Sequence, residues 1–305
     1  MTHIHSHTES GHHHRIDPAH VTRALVWGIV LNLIFVAVEL GAGLWQNSMG
    51  LVSDAGHNLS DVVSLLLALL AVKLSQAAKS DQYTYGYRKI TILVSLINAC
   101  ILLAAVGVIV WESVGRLLHP HPVDGGVMAW VAGIGIAVNA FTAWLFMKDS
   151  KTDLNIKGAY LHMVADTLVS AGVLASGIII SHTGWYAADP VIALTVAAVI
   201  FLSTWKLLRA SVRLSLDGVP DGMDIERIRR AITSVDGVTG MHHLHVWALS
   251  TTENAATVHV VTRRGSDTSR IKQDIKRALA AASAEHVTVE TETEGETCSD
   301  DTCRR

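Results

Sequence analysis

Six apolar stretches constrain this chain more than any other feature. They fall at about 22–45, 51–74, 90–118, 125–147, 159–182 and 188–208 of the 305 residues. Each is long enough to cross a hydrocarbon core of roughly 30 Å as a helix. Lipid offers no partner for a backbone N–H or C=O, and none of the stretches shows the two-residue alternation of a barrel strand, so each is predicted to be a transmembrane helix. Composition agrees, since half of the residues are hydrophobic and the mean hydropathy is +0.36, too apolar for an ordinary soluble domain. The formal charge of −3 points to no nucleic-acid partner, which leaves the bilayer as the expected surroundings. The polar leader before the first stretch has no small-residue cleavage site after a short apolar core, so no cleavable signal is expected.

The links between stretches differ in charge. Gln46–Gly50 and Ser181–Ala188 carry no Lys or Arg, and the third-to-fourth link carries Arg116 alone. The opposite side holds Arg15, Arg23, Lys73, Lys79, Arg88, Lys89, Lys148, Lys151, Lys157, Lys206, Arg209 and Arg213. Basic residues accumulate on the cytoplasmic face, so both termini are expected in the cytoplasm. Beyond about residue 214 the pattern changes to a helix in DGMDIERIRRAITSVDGV, strands in MHHLHVWAL and NAATVHVVT, a helix in DTSRIKQDIKRALAAAS and a strand in HVTVETE. That order suits a small soluble α/β domain with its helices on one face of an open sheet.

The second stretch opens with charge: SDAGHNLSDVVSLLLALLAVKL spans Ser53–Leu74. A charged side chain in mid-bilayer costs at least about 3 kcal/mol, so Asp54, His57 and Asp61 need a reason to be there. His57 and Asp61 are four residues apart and share one helix face. GAYLHMVADTLVSAG repeats the spacing with His162 and Asp166 in the fifth stretch. Face to face, the two helices would supply two imidazole nitrogens and two carboxylate oxygens, a tetrahedral set suited to Zn²⁺. The alternative is that each pair is an interhelical hydrogen bond. Two buried carboxylates beside two imidazoles, however, need a cation or protons to offset their charge. Asp54, one turn outside His57, reads as a solvated carboxylate with an entry ligand as the alternative, and Glu39 and Asn32 of the first stretch read as structural with a transport role as the alternative.

The paired His-x-x-x-Asp helices, YTYGYRK at Tyr83–Lys89, LNIKGAYLHMVADTLVSAGV before and within the fifth stretch, and HHLHVWAL in the soluble part together resemble the cation diffusion facilitator family of zinc transporters over about residues 20–293. The resemblance implies an α-helical membrane protein of six transmembrane helices with a C-terminal cytoplasmic ferredoxin-like α/β domain, working as a homodimer that exports Zn²⁺ in exchange for protons. It places the transport site on His57, Asp61, His162 and Asp166, and a histidine in both pairs resembles the zinc-preferring branch. The implied division is a histidine-rich tail at 1–20, a transport domain at 21–213, a regulatory and dimerising domain at 214–293 and a mobile tail at 294–305. Compact loops without a eukaryotic-type histidine loop point, by analogy, to a bacterial inner membrane.

His243, His245 and Trp247 alternate along one expected strand, with His259 on the next and His286, Glu290 and Glu292 on the last. The resemblance implies a cytoplasmic zinc site of His245, His259 and Glu292, joined by His243 and His286; histidines satisfied by backbone are the alternative. It also makes Lys89 and Asp217 candidates for a charge interlock between the two domains. The leader contains His3, His5, His7, His12, His13 and His14 in a segment too polar to build a core, and such tracts bind metal adaptably. Of the three cysteines, Cys100 sits alone in an apolar run, while Cys298 and Cys303 lie in the tail, where a soft-metal clamp competes with a reduced, solvated pair. No His-Glu-x-x-His motif occurs, so the expected activity is carriage rather than catalysis. A membrane-anchored zinc sensor and a carrier of broader range, taking Cd²⁺ or Mn²⁺, are the alternatives.

Overall fold

The computed structural model describes residues 18–45, 49–118, 125–296 and 298. Six long helices occupy the six apolar stretches: α1 (Pro18–Trp45), α2 (Met49–Ser75), α3 (Ile90–Leu118), α4 (Gly125–Phe146), α5 (Leu154–Thr183) and α6 (Ala188–Ser215). Within α1, α3, α5 and α6 the described residues form windows long and apolar enough to cross a membrane. The α2 helix has the length, at 27 residues or about 40 Å, and carries Asp54, His57, Asn58, Asp61 and Lys73 among its apolar residues. In α4 the apolar run among the described residues is the shorter Ala132–Phe146.

Two apolar clusters close the bundle at different depths. Val21, Leu25 and Ile29 of α1, Val62, Leu65, Ala68 and Val72 of α2, Phe146 of α4 and Ile156 and Met163 of α5 fill the half nearer the small domain. Leu102 and Val106 of α3, Ala165 of α5 and Ala197 and Ile200 of α6 fill the opposite half on the other side of α5. The α5 helix touches both and packs against α2, α3, α4 and α6. Its start, the end nearer the small domain, is pinned to α2, because the buried Asn155 donates from Nδ2 to the carbonyl of Ala68 at 3.1 Å.

The small domain runs α7 (Ile225–Thr233), β1 (Val238–Ala248), β2 (Asn254–Thr262), α8 (Thr268–Ala281) and β3 (His286–Thr293). This is the ferredoxin-like βαββαβ order without its first strand. The sheet order is β1-β2-β3, with β1 and β2 antiparallel and β2 and β3 parallel across the α8 crossover. Asp224 and Asp267 cap the two helices by accepting amide hydrogens of their first turns. Ile228 and Ile232 of α7, and Ile271, Ile275 and Leu279 of α8, repeat every four residues and bury one stripe against Val246, Ala256, Val258, Val260 and Val289. Each large side chain fully buried there contributes about 1.5–3 kcal/mol. The opposite sheet face carries the histidines.

The β1 strand is not regular. His242 pairs with His259, but the next residue in register is His245, opposite Thr257. A bulge absorbs the extra residue, and His243 takes a left-handed backbone at φ +49°.

The domains meet through the β1–β2 hairpin loop. Asp153 caps α5 by accepting the amides of Asn155 at 2.7 Å and Ile156 at 3.4 Å, and the same oxygen accepts the Thr251 hydroxyl at 2.7 Å. The Thr251 amide donates to Thr91 Oγ1 of α3 at 3.1 Å. Burial pushes the Asp153 carboxyl above its ordinary range, opposed by the Thr251 hydroxyl and the two amides. Around this joint Arg88 pairs with Glu253, Arg213 with Asp221, and Lys89 Nζ lies 2.5 Å from Asp217 Oδ1. The Lys89–Asp217 side chains are more than half exposed (52% and 58%), so that pair is worth about 0–1 kcal/mol and orients more than it stabilises.

Replacing Asp153 by alanine should cost about 1 kcal/mol through loss of the cap, and hydrogen exchange should quicken both in the first turn of α5 and at Ser250–Glu253. Normal protection of the hairpin would mean that Thr251 docks without Asp153. At the bulge, His243→Val should destabilise the small domain by about 1–2 kcal/mol, because a β-branched residue resists the left-handed region, whereas His243→Gly should be nearly neutral. Denaturant unfolding followed on the small domain reads both.

Candidate metal centres

Within the bundle, α2 and α5 bring Asp61, His162 and Asp166 together. Their ligand atoms all lie within 4.8 Å of one another. His162 Nε2 is 2.7 Å from Asp61 Oδ1 and 3.8 Å from Asp166 Oδ2. The side chains are 7%, 1% and 13% exposed respectively, so two carboxylates flank one imidazole nitrogen almost out of reach of water. The second oxygen of Asp61 is buried without a hydrogen-bond partner among the described residues. Such a cluster is unfavourable unless a cation or protons offset it, and three converging N and O donors can chelate one ion. The backbone of α2 places position 57 one turn from Asp61. The side chains of His57, Asp54 and Glu39 lie outside the described residues, as do the whole of His3, His5, His7, His12, His13, His14 and Cys303. Asn32 is buried in the bundle and donates to the carbonyl of Gly28 at 2.9 Å, with Thr142 and Met163 beside it.

The small domain gathers a second group: His242, His259, Glu292 and Cys298, again with ligand atoms within 4.8 Å. Glu292 Oε1 is shared, at 3.1 Å from His242 Nε2 and 3.2 Å from His259 Nδ1. Cys298 Sγ lies 3.7 Å from His259 Nδ1, and Glu290 Oε2 lies 3.4 Å from His259 Nε2. Burial raises the Glu292 carboxyl, but the hydrogen bond from His259, the charge of His242 and the Cys298 thiol outweigh it and hold the carboxyl below its ordinary range.

This group differs from the expected His245, His259 and Glu292. The bulge shifts register, so His242 stands beside His259 while the exposed His245 lies with Trp247 and Thr257 along a groove by the interdomain link. His243 packs its ring 5.1 Å from that of His259, and its Nε2 is buried without a partner among the described residues, but its ligand atoms stay outside the group. His286 is exposed at the start of β3, edge-on to Tyr85 at 5.2 Å. Strict alternation along HHLHVWAL missed His242; the consecutive histidines gave no signal of which one the bulge would turn. Nothing in the sequence singled out Asp153, Thr251 or Asn155.

Comparison with known proteins matches residues 25–214 to the cation efflux transmembrane domain and residues 220–294 to the cation efflux protein cytoplasmic domain. A cadmium, cobalt and zinc/H⁺-K⁺ antiporter of Bacillus velezensis is 33% identical over 288 residues, covering 93% of this chain and 92% of its own length. The zinc transporter ZitB of Escherichia coli is 34% identical over 295 residues, covering 96% and 93%. The metal cation efflux system protein CzcD of Cupriavidus metallidurans is 33% identical over 285 residues, covering 93% and 90%. Matched through both its helical bundle and its small domain, the chain belongs to the cation efflux, or cation diffusion facilitator, family of membrane transporters.

Proposed function

We propose that this protein exports Zn²⁺ from the cytoplasm in exchange for protons, as a secondary carrier and not an enzyme. The observation that carries the reading is the buried convergence of Asp61, His162 and Asp166 from two facing helices; His57, one turn away on α2, is proposed as the fourth ligand. The names of the relatives, zinc transporter and zinc-including antiporter, support the choice of ion and of proton coupling. Zinc bound to these groups offsets their charge, and when it leaves, protons on the carboxylates or imidazoles take its place. The same residues would serve both membrane faces in turn, which is alternating access around one site.

The protein is read as a homodimer in a bacterial inner membrane with both termini in the cytoplasm, a reading supported by its cytoplasmic-domain match and by the basic residues on that side. His242, His259, Glu292 and Cys298 are proposed to bind regulatory zinc, and the histidine-rich leader and Cys303 to raise its local concentration. The thiol and the Bacillus relative's name favour Cd²⁺ as an additional cargo or ligand.

In proteoliposomes with an imposed pH gradient, Asp61→Ala or Asp166→Ala should reduce zinc flux to background while the protein inserts normally; wild-type flux in either would remove the assigned site. His57→Asp should shift competition uptake toward Cd²⁺ or Mn²⁺, because an oxygen-richer site demands less of a nitrogen-preferring ion. Replacing His242 and His259 together by alanine should raise half-maximal zinc about tenfold while maximal flux persists. A folded double variant without flux at saturating zinc would place these histidines on the transport path.

A further inference from the structure

Asn98 on α3 is the least satisfied buried polar residue among those described. It is 2% exposed, and neither its Nδ2 nor its Oδ1 has a hydrogen-bond partner among the described residues. An amide buried in this way carries the desolvation penalty of a donor and an acceptor at once, which membrane helices avoid unless water or an ion visits. The neighbouring surface is made to leave room: a Cβ on Gly158 of α5 would stand 3.4 Å from Asn98 Cβ and 3.5 Å from Nδ2. Gly158 is four residues before His162, so Asn98 faces α5 one turn on the cytoplasmic side of the buried metal ligands, about 6 Å along the axis.

The polar groups continue from there toward the small domain. Ser95, one turn earlier on α3 and fully buried, donates to the carbonyl of Leu154 at 3.1 Å and shares a hydrogen bond with Ser211 of α6 at 2.9 Å. Thr91 then meets the hairpin amide of Thr251. On the other side of Asn98, toward His162, Thr204 of α6 is buried with its hydroxyl unpartnered among the described residues. From the depth of the metal ligands outward the same α3–α5–α6 seam turns apolar, with Leu102, Val106, Ala165, Ala197 and Ile200. The other flank of α5 is apolar on the cytoplasmic side, where Leu65, Ala68, Phe146, Ile156 and Met163 exclude water. Polar groups therefore connect the cytoplasmic end to His162 along one flank of α5 and stop at its depth.

We infer that this seam is the route by which zinc approaches from the cytoplasm, and that the Asn98 amide oxygen holds the hydrated divalent cation for transfer to His162 and Asp166. The inference rests on the reading of Asp61, His162 and Asp166 as the transport site. Asn98 is a waypoint that the bound ion has left, so it governs arrival of the ion rather than its final coordination. An amide oxygen suits this step, since it is a neutral donor that takes a hydrated ion without trapping it.

Zinc uptake by the reconstituted full chain tests it. Asn98→Leu keeps the volume but removes the oxygen, and should raise half-maximal zinc about tenfold with saturating flux within about twofold of wild type. Asn98→Asp, which keeps an oxygen, should hold half-maximal zinc near or below the wild-type value. An unchanged half-maximal zinc in Asn98→Leu, or a loss confined to saturating flux in both variants, would overturn the inference and leave Asn98 a packing residue. Asp166→Ala run in parallel separates the two ideas, because wild-type flux there removes the site itself whatever residue 98 does. Should Asn98→Leu fail to insert, labelling of Asn98→Cys by a charged, membrane-impermeant thiol reagent decides, with modification at residue 98 read by peptide mass spectrometry. Labelling from the cytoplasmic face that zinc suppresses is expected; labelling from the outer face alone, or from neither, refutes the route.

Discussion

Two carboxylates and an imidazole held together out of water set the terms for everything around them. Lone charges in an apolar bundle would cost more than packing returns, so the cluster persists only where rigid helices hold it and a cation or protons offset it. The helices meet that demand by position. Asp61 comes from α2 and His162 and Asp166 from α5, the helix in contact with every other helix of the bundle except α1 at close range. The hydrogen bond from Asn155 to the Ala68 carbonyl ties the same two helices again two turns away. The apolar clusters on either flank keep the surroundings dry at different depths, which makes the site accessible by choice of flank rather than by exposure.

The small domain is not hung loosely on the bundle. Its β1–β2 hairpin carries His242 and His259 near one end and Thr251 at the other, and Thr251 rests on the carboxylate that caps α5. A single two-stranded element thus touches both candidate metal centres, one directly and one through the first turn of a transmembrane helix. The surrounding ion pairs are too exposed to hold the joint by strength, so its geometry depends on the buried Asp153.

Much of this was legible in the sequence. Apolar length marked all six helices, the four-residue spacing of His162 and Asp166 put them on one face, and alternation marked the three strands. What escaped was whatever depends on a local irregularity or on a neutral polar residue. The bulge at His243 brings His242, rather than His245, beside His259 and Glu292, and no local composition announces a bulge within HHLH. Nothing marks Asp153 until the hairpin arrives from about a hundred residues away, or Asn98 until the packing leaves its amide without partners among the described residues. Charge and periodicity are properties of a segment; these roles belong to contacts between segments.

Capping α5 with a side chain that also belongs to the interdomain joint makes its start a pivot. A helix of 30 residues extends about 45 Å, and His162 stands only about 13 Å from the capped end. A tilt of about 10° about Asp153 would therefore carry His162 sideways by about 2 Å while sweeping the far end by about 8 Å. Near the fulcrum the ligands would shift by little more than a metal–ligand bond length, enough to pass an ion from one set of neighbours to another, while the far end opens by more than the diameter of a water molecule. On that geometry the helix would act as a lever with its load close to the hinge, so that a small rearrangement at the hairpin would become a large aperture at the far end of α5.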